Sequence, residues 1–115
     1  MSVKVLAEDM ANLLTIAVAR MDNSGLLLEA NAGFMRLLGK AAAHALGGDI
    51  TRFFIQPAFA DLAAATPNEQ GEVYQGLLTL GEVTGKIRSL RGRIWRTADE
   101  FRLLAEFDIE ELERV

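Results

Sequence analysis

The chain has 115 residues, half of them hydrophobic, which sets the scale at one domain with one modest core and excludes disorder over most of its length. It contains no cysteine, so disulfides, thiolate metal sites and thiol chemistry are excluded. The formal charge of −4 argues against nucleic acid as the main partner.

Met1-Ser2-Val3-Lys4 opens neither a secretory signal nor a membrane span, so a soluble cytoplasmic protein is the expectation. Val3, Leu6, Met10 and Leu13 recur at three- and four-residue steps, predicting an amphipathic helix over residues 1–14 that needs a surface to dock on. Thr15 to Met21 is rich in β-branched and small apolar residues and reads as a strand. Asp22-Asn23-Ser24-Gly25 follows as a turn, and Leu26 to Ala30 as the returning strand. Asn31 suits the cap of a helix bearing Phe34, Leu37 and Leu38, and Gly39 suits its end. Ala41 to Leu46 reads as another short helix. Asp49 caps a turn with Ile50, Phe53 and Phe54, and Pro57 starts a helix bearing Phe59, Leu62 and Ala63. Pro67, Asn68 and Gly71 mark a surface loop.

Beyond Gly71 the apolar period becomes that of strands: Val73 to Leu80, Lys86 to Arg96 and Glu100 to Phe107. Glu82-Val83-Thr84-Gly85 and Thr97-Ala98-Asp99 are short enough to join them as hairpins. With the opening pair this makes five strands. The expectation is an α+β domain: a five-stranded antiparallel sheet with short helices on one face. Lys86, Arg88, Arg91, Arg93, Arg96 and Arg102 could form a phosphate-binding patch. They alternate with Ile87, Leu90 and Ile94, however, and a solvated strand face explains them better.

The element order, together with Asp22, Gly25, Asn31, Phe34 and Gly39, resembles a PAS domain, the sensory module of bacterial signalling proteins. "GGDITRFFIQP" and the terminal "DIEEL" are similar to family features, with Glu110 where the family has Thr. The resemblance implies a sensor domain over residues 15–108 and the start of a signalling helix over 109–115, leading to a histidine kinase or diguanylate cyclase output. It also implies that this chain is the N-terminal piece of a longer protein. The stretch Asp22 to Gly39 would then be scaffold, one wall of a pocket.

Alternation places Gly76, Leu78 and Leu80, and likewise Leu90, Gly92 and Ile94, on one sheet face. The resemblance turns that face inward, so Phe34, Leu38, Phe54, Leu78, Leu90, Ile94 and Glu106 become the candidate ligand-binding residues, with Phe53, Phe59 and Leu62 beside them. A filled core would show the same lining. Glu106 is ambiguous. Simple alternation buries Phe101, Leu103, Ala105 and Phe107 and exposes Glu106. Counting back from Asp108 as the family does turns Glu106 inward, toward a ligand or a hydrogen bond with Tyr74 or a backbone amide, and leaves Phe101, Leu103, Phe107 and Trp95 outward. The second phase is preferred, because the outer face then offers the first helix an apolar seat.

His44 is the single histidine and stands off the helix where haem-binding relatives carry their iron ligand, so a metal role is not expected. Trp95 reads as an outward packing anchor rather than a flavin-stacking residue. No acid–base pair, nucleophile elbow or phosphate loop is present, so catalysis is not expected, and the cofactor stays unknown. Ile109 and Leu112 begin a helical seam. With the Val3, Leu6, Met10, Leu13 helix and the outer sheet face, it predicts a homodimer that relays a ligand or partner signal to an output domain. Two rival readings remain: a purely structural homodimerisation domain with a closed core, and a small enzyme or hydrophobic carrier.

Overall fold

The Asp22 turn forms as its sequence dictates. One oxygen of its carboxylate accepts from the Ser24 amide (2.9 Å), the Ser24 hydroxyl (2.7 Å) and the Leu26 amide (3.0 Å), and Gly25 takes φ +95°. The computed structural model describes residues 16–39, 45–81 and 87–107. The turn joins strand β1 (Ile16–Asp22) to β2 (Leu27–Ala30), and helix α1 (Ala32–Leu38) follows. Gly39 ends α1 with φ +58°, and its amide donates back to the carbonyls of Arg36 and Met35. A 3-10 turn (Thr51–Phe53) leads into β3 (Phe54–Gln56) and then α2 (Phe59–Ala64). Three long strands close the described chain: β4 (Glu72–Gly81), β5 (Ile87–Arg96) and β6 (Glu100–Phe107).

All strands lie in one antiparallel sheet of order β2-β1-β6-β5-β4-β3. The expected count of five strands is corrected to six. Phe54, assigned to a turn from sequence, instead opens a strand with Ile55 and Gln56 that pairs with β4 through Phe54↔Leu80 and Gln56↔Thr79. This partner is 26 residues away in the chain, so no local pattern reports it. The second helix also starts at Phe59 rather than Pro57. The predicted helix over residues 1–14, the tail 109–115, residues 41–44 with His44, and the 82–85 turn lie outside the described residues; Ala45 and Leu46 are a turn and an isolated bridge to Leu27.

One apolar cluster joins the helices to one face of the sheet. Phe34, Leu37 and Leu38 of α1 and Phe59 and Leu62 of α2 are buried with Ala17, Ala19, Met21, Leu78, Leu80, Leu90 and Ile94. Phe101, Leu103, Ala105 and Phe107 complete it. The phase of β6 preferred from sequence is therefore corrected. These four residues point inward, and Glu106 is exposed on the opposite face between Ile16 and Arg91. Burying four apolar side chains outweighs a register counted from a tail residue, because a one-residue slip would move all four to the outside.

Candidate functional site

The register sorts the inner face of the sheet into rows. Leu78, Leu90 and Phe107 stand opposite one another across β4, β5 and β6. Four residues along, Tyr74, Ile94, Leu103 and Ala19 form a second row reaching β1. The row between them is Gly76, Gly92, Ala105 and Ala17. On β4, β5 and β6 two rows of larger side chains thus flank a line of residues with one carbon or none, a trough in the sheet surface that runs on to the small residues Ala17 and Ala19 of β1. Backbone contact is close at its centre: a Cβ added to Gly92 would fall 2.6 Å from Ala105 Cβ and 2.7 Å from Ala105 Cα. At the Gly76 end the phenol of Tyr74 lies over the row, its oxygen donating to the Leu77 carbonyl (2.7 Å).

The helices supply the facing wall. Asn31 caps α1, its Oδ1 accepting from the Phe34 amide (2.9 Å), which fixes Phe34 and Leu38 in the buried cluster. The Arg36 guanidinium sits 6.0 Å from the centre of the Phe107 ring, tying α1 to the end of β6. The Phe59 ring packs edge-on to Phe54 (5.7 Å) and tilted against Phe101 (4.8 Å). Of the candidate residues, Phe34, Leu38, Phe54, Leu78, Leu90 and Ile94 are gathered in this cluster and Glu106 is not. The predicted Glu106–Tyr74 hydrogen bond is corrected with it, since the tyrosine bonds within its own strand. Sequence reasoning also missed Phe101, Leu103 and Phe107 as inward residues. Their alternation was the available signal.

Among the described residues the one buried polar side chain is Asn31, 3% exposed, and it is bonded on both its oxygen and its nitrogen. The cluster therefore offers apolar surface to anything it holds. No group of three or more metal-ligating side chains occurs among the described residues.

The outer face is mixed. Arg20 donates through one nitrogen to both carboxylate oxygens of Glu100 at 3.1 Å, and Arg102 reaches the same carboxylate at 3.6 Å. Arg93 pairs with Glu72 at 3.7 Å. The basic residues are in part ion-paired across strands, in keeping with a solvated face. Between them Val18, Trp95 and Leu104 line a groove of about 230 Å³ with Arg102 at its side. Of the apolar seat expected there, Trp95 remains and Phe101, Leu103 and Phe107 do not.

No protein-family model matches the chain, and no curated protein does. Solved structures match it. The chain is similar to the PAS domain of an HTR-like protein from Haloarcula marismortui, with TM-score 0.65 and 17% identity over 91% of this chain and 96% of that one. It is similar to the PAS domain of a protein from Colwellia psychrerythraea, with TM-score 0.63 and 13% identity over 92% and 98%. A domain of a sensory box sensor histidine kinase/response regulator from Geobacter sulfurreducens gives TM-score 0.61 and 13% identity over 90% and 92%. The fold is that of a PAS domain. Among the described residues no helix is long and apolar enough to cross a membrane.

Proposed function

We propose that residues 15–108 form a non-catalytic sensory module that holds an apolar small molecule against the Gly76–Gly92–Ala105–Ala17 trough and passes its presence through β6 to whatever follows. The trough is the observation that carries this reading. Both large-residue rows and the small-residue row reach β6, through Leu103, Ala105 and Phe107, so a molecule lying there presses on the strand that leads to the chain's C-terminal tail. The absence of a buried charge among the described lining residues favours an uncharged, apolar ligand, because an ion would stay undersolvated there.

In this reading the outer face serves a second copy of the chain, with Val18, Trp95 and Leu104 of the groove meeting apolar residues of the first helix, Val3, Leu6, Met10 and Leu13. The PAS fold and the sensor-kinase context of the Geobacter neighbour support a signalling role, and an output domain after Val115 is part of the proposal. The competing view is a closed core that only dimerises.

Retention of a ligand separates the two. Protein made in its own host and weighed under native and then denaturing conditions should carry a small molecule that is released on unfolding. Leu90→Trp, which fills the space beside the trough, should fold but lose that added mass. A wild-type chain with no added mass would favour the closed dimerisation domain.

A further inference from the structure

Helix α2 is held to the sheet at two ends by one cross-strand pair. Arg96 and Phe101 are register partners across β5 and β6. The ring of Phe101 takes Phe59, the first residue of α2. The guanidinium of Arg96 donates to the carbonyls of Leu62 (3.2 Å) and Ala63, in the last turn. Positive charge at the carbonyl end of a helix is favourable, and apart from Arg96 the Leu62 carbonyl takes a long bond from the Ala65 amide (3.4 Å).

Little else in the helix holds it. It has six residues, far below the length at which a helix is stable alone. Ala58 at its N-terminus provides no side-chain cap. Of its flanking backbone bonds, Asp61 to Ala58 is ordinary at 3.0 Å, while Leu62 to Ala58 at 3.3 Å and Ala65 to Leu62 at 3.4 Å are long. Two of its residues, Phe59 and Leu62, are buried, while Ala60, Asp61, Ala63 and Ala64 are exposed. Beside the Arg96 contact runs a crevice of about 300 Å³, lined by Asn23, Ala63, Arg96, Thr97, Ala98 and Phe101. It joins exposed Ala63 to Phe101, which is 1% exposed and part of the central cluster.

We infer that Arg96 is a latch: α2 opens as a local unit while the sheet stays intact, and the Arg96 bonds to Leu62 and Ala63 set how often it does so. Opening withdraws Phe59 and Leu62 from the cluster and uncovers Phe101 along the crevice. That this opening admits the ligand rests on the proposed function; the latch itself does not.

Hydrogen exchange on the full chain tests it. Arg96→Met keeps the apolar stem and removes the donors, and Arg96→Lys keeps one charged donor. Exchange at the Leu62 to Ala65 amides should rise roughly tenfold in Arg96→Met, the effect of losing a charge-assisted hydrogen bond, and by less in Arg96→Lys. Amides of β1, β5 and β6 should keep their wild-type rates. Unchanged α2 exchange, or an equal rise in helix and sheet, would overturn the latch. Should Arg96→Met not fold, the wild type gives the same reading in low denaturant. The α2 amides should then show a smaller denaturant slope than those of β5 and β6, and equal slopes would overturn the proposal.

Discussion

The amide of Val18 donates to the side-chain oxygen of Asn31 at 2.9 Å, and the amide of Asn31 donates to the carbonyl of Val18, also at 2.9 Å. Asn31 Nδ2 adds a bond to the Ile16 carbonyl at 2.7 Å. One side chain thus extends the pairing of β1 beyond the end of β2 while capping α1. The direction in which α1 leaves the sheet, and hence the position of Phe34 over the inner face, follows from these bonds.

Asn31→Ala removes the cap and leaves a strand amide and a strand carbonyl unpaired in a buried place. The expected loss is about 2–4 kcal/mol, combining a cap of ~1 with the cost of orphaned buried groups. Asn31→Ser should recover roughly 1 kcal/mol of this, because a hydroxyl can still cap the helix but is too short to serve β1. Denaturant titration of the three proteins measures both differences.

Gly92→Ala should cost about 1–3 kcal/mol, since the new carbon meets the Leu104 carbonyl and Ala105 and the strands must part to admit it. Gly76→Ala is strained for a different reason, its φ of +143°. If the trough is a functional surface, Gly92→Ala should also lower ligand retention beyond what its stability loss explains. Thermal unfolding and native mass spectrometry, run on the same preparation, separate the two effects.

The Leu26 amide, followed by the Ser24 hydroxyl, holds the Asp22 carboxyl below the usual aspartate range. A carboxyl whose folded pKa is depressed adds stability above its unfolded value, about 3.9, and loses it as pH falls through the folded one. Asp22→Asn should accordingly be less stable than wild type near neutral pH, with the gap closing on acidification below about pH 4. Chemical denaturation midpoints across that range check the sign.

Leu104→Glu places a charge in the outer groove without touching the inner cluster. Monomer stability should change by no more than about 0.5 kcal/mol, as for most surface substitutions. The proposed dimer should weaken at least tenfold, the usual scale for a central apolar anchor. Sedimentation equilibrium reads the second effect and urea unfolding the first. A wild-type chain that stays monomeric at high concentration would remove the dimer.

Much of the fold was legible where the determinants are local. The Asp22 turn, the Asn31 cap and the Gly39 stop each depend on one side chain or one positive φ, and their residue types report them directly. Leu78, Leu90 and Ile94 were placed on a common face because β4 and β5 alternate cleanly. Where pairing partners are remote, the chain was less informative. β3 has three residues and exists through Leu80 and Thr79. In β6, the count from Asp108 and the apolar seat that outward Phe101, Leu103 and Phe107 would give the first helix beside Trp95 of β5 competed with the burial of Phe101, Leu103, Ala105 and Phe107. Burial decides it, since it sets the phase for every residue of the strand at once. The contact of Arg96 with α2 joins residues more than thirty positions apart and has no sequence signature.

The relay from trough to exit strand is tested most directly by amide chemical shifts, recorded on the full chain stripped of its co-purified small molecule and again after that molecule is restored. Shifts are expected at Leu78, Leu90 and Ile94 on the inner face together with shifts at Leu104 and Glu106, whose side chains face away from the trough. Shifts confined to the inner residues, or no shifts anywhere, would contradict it.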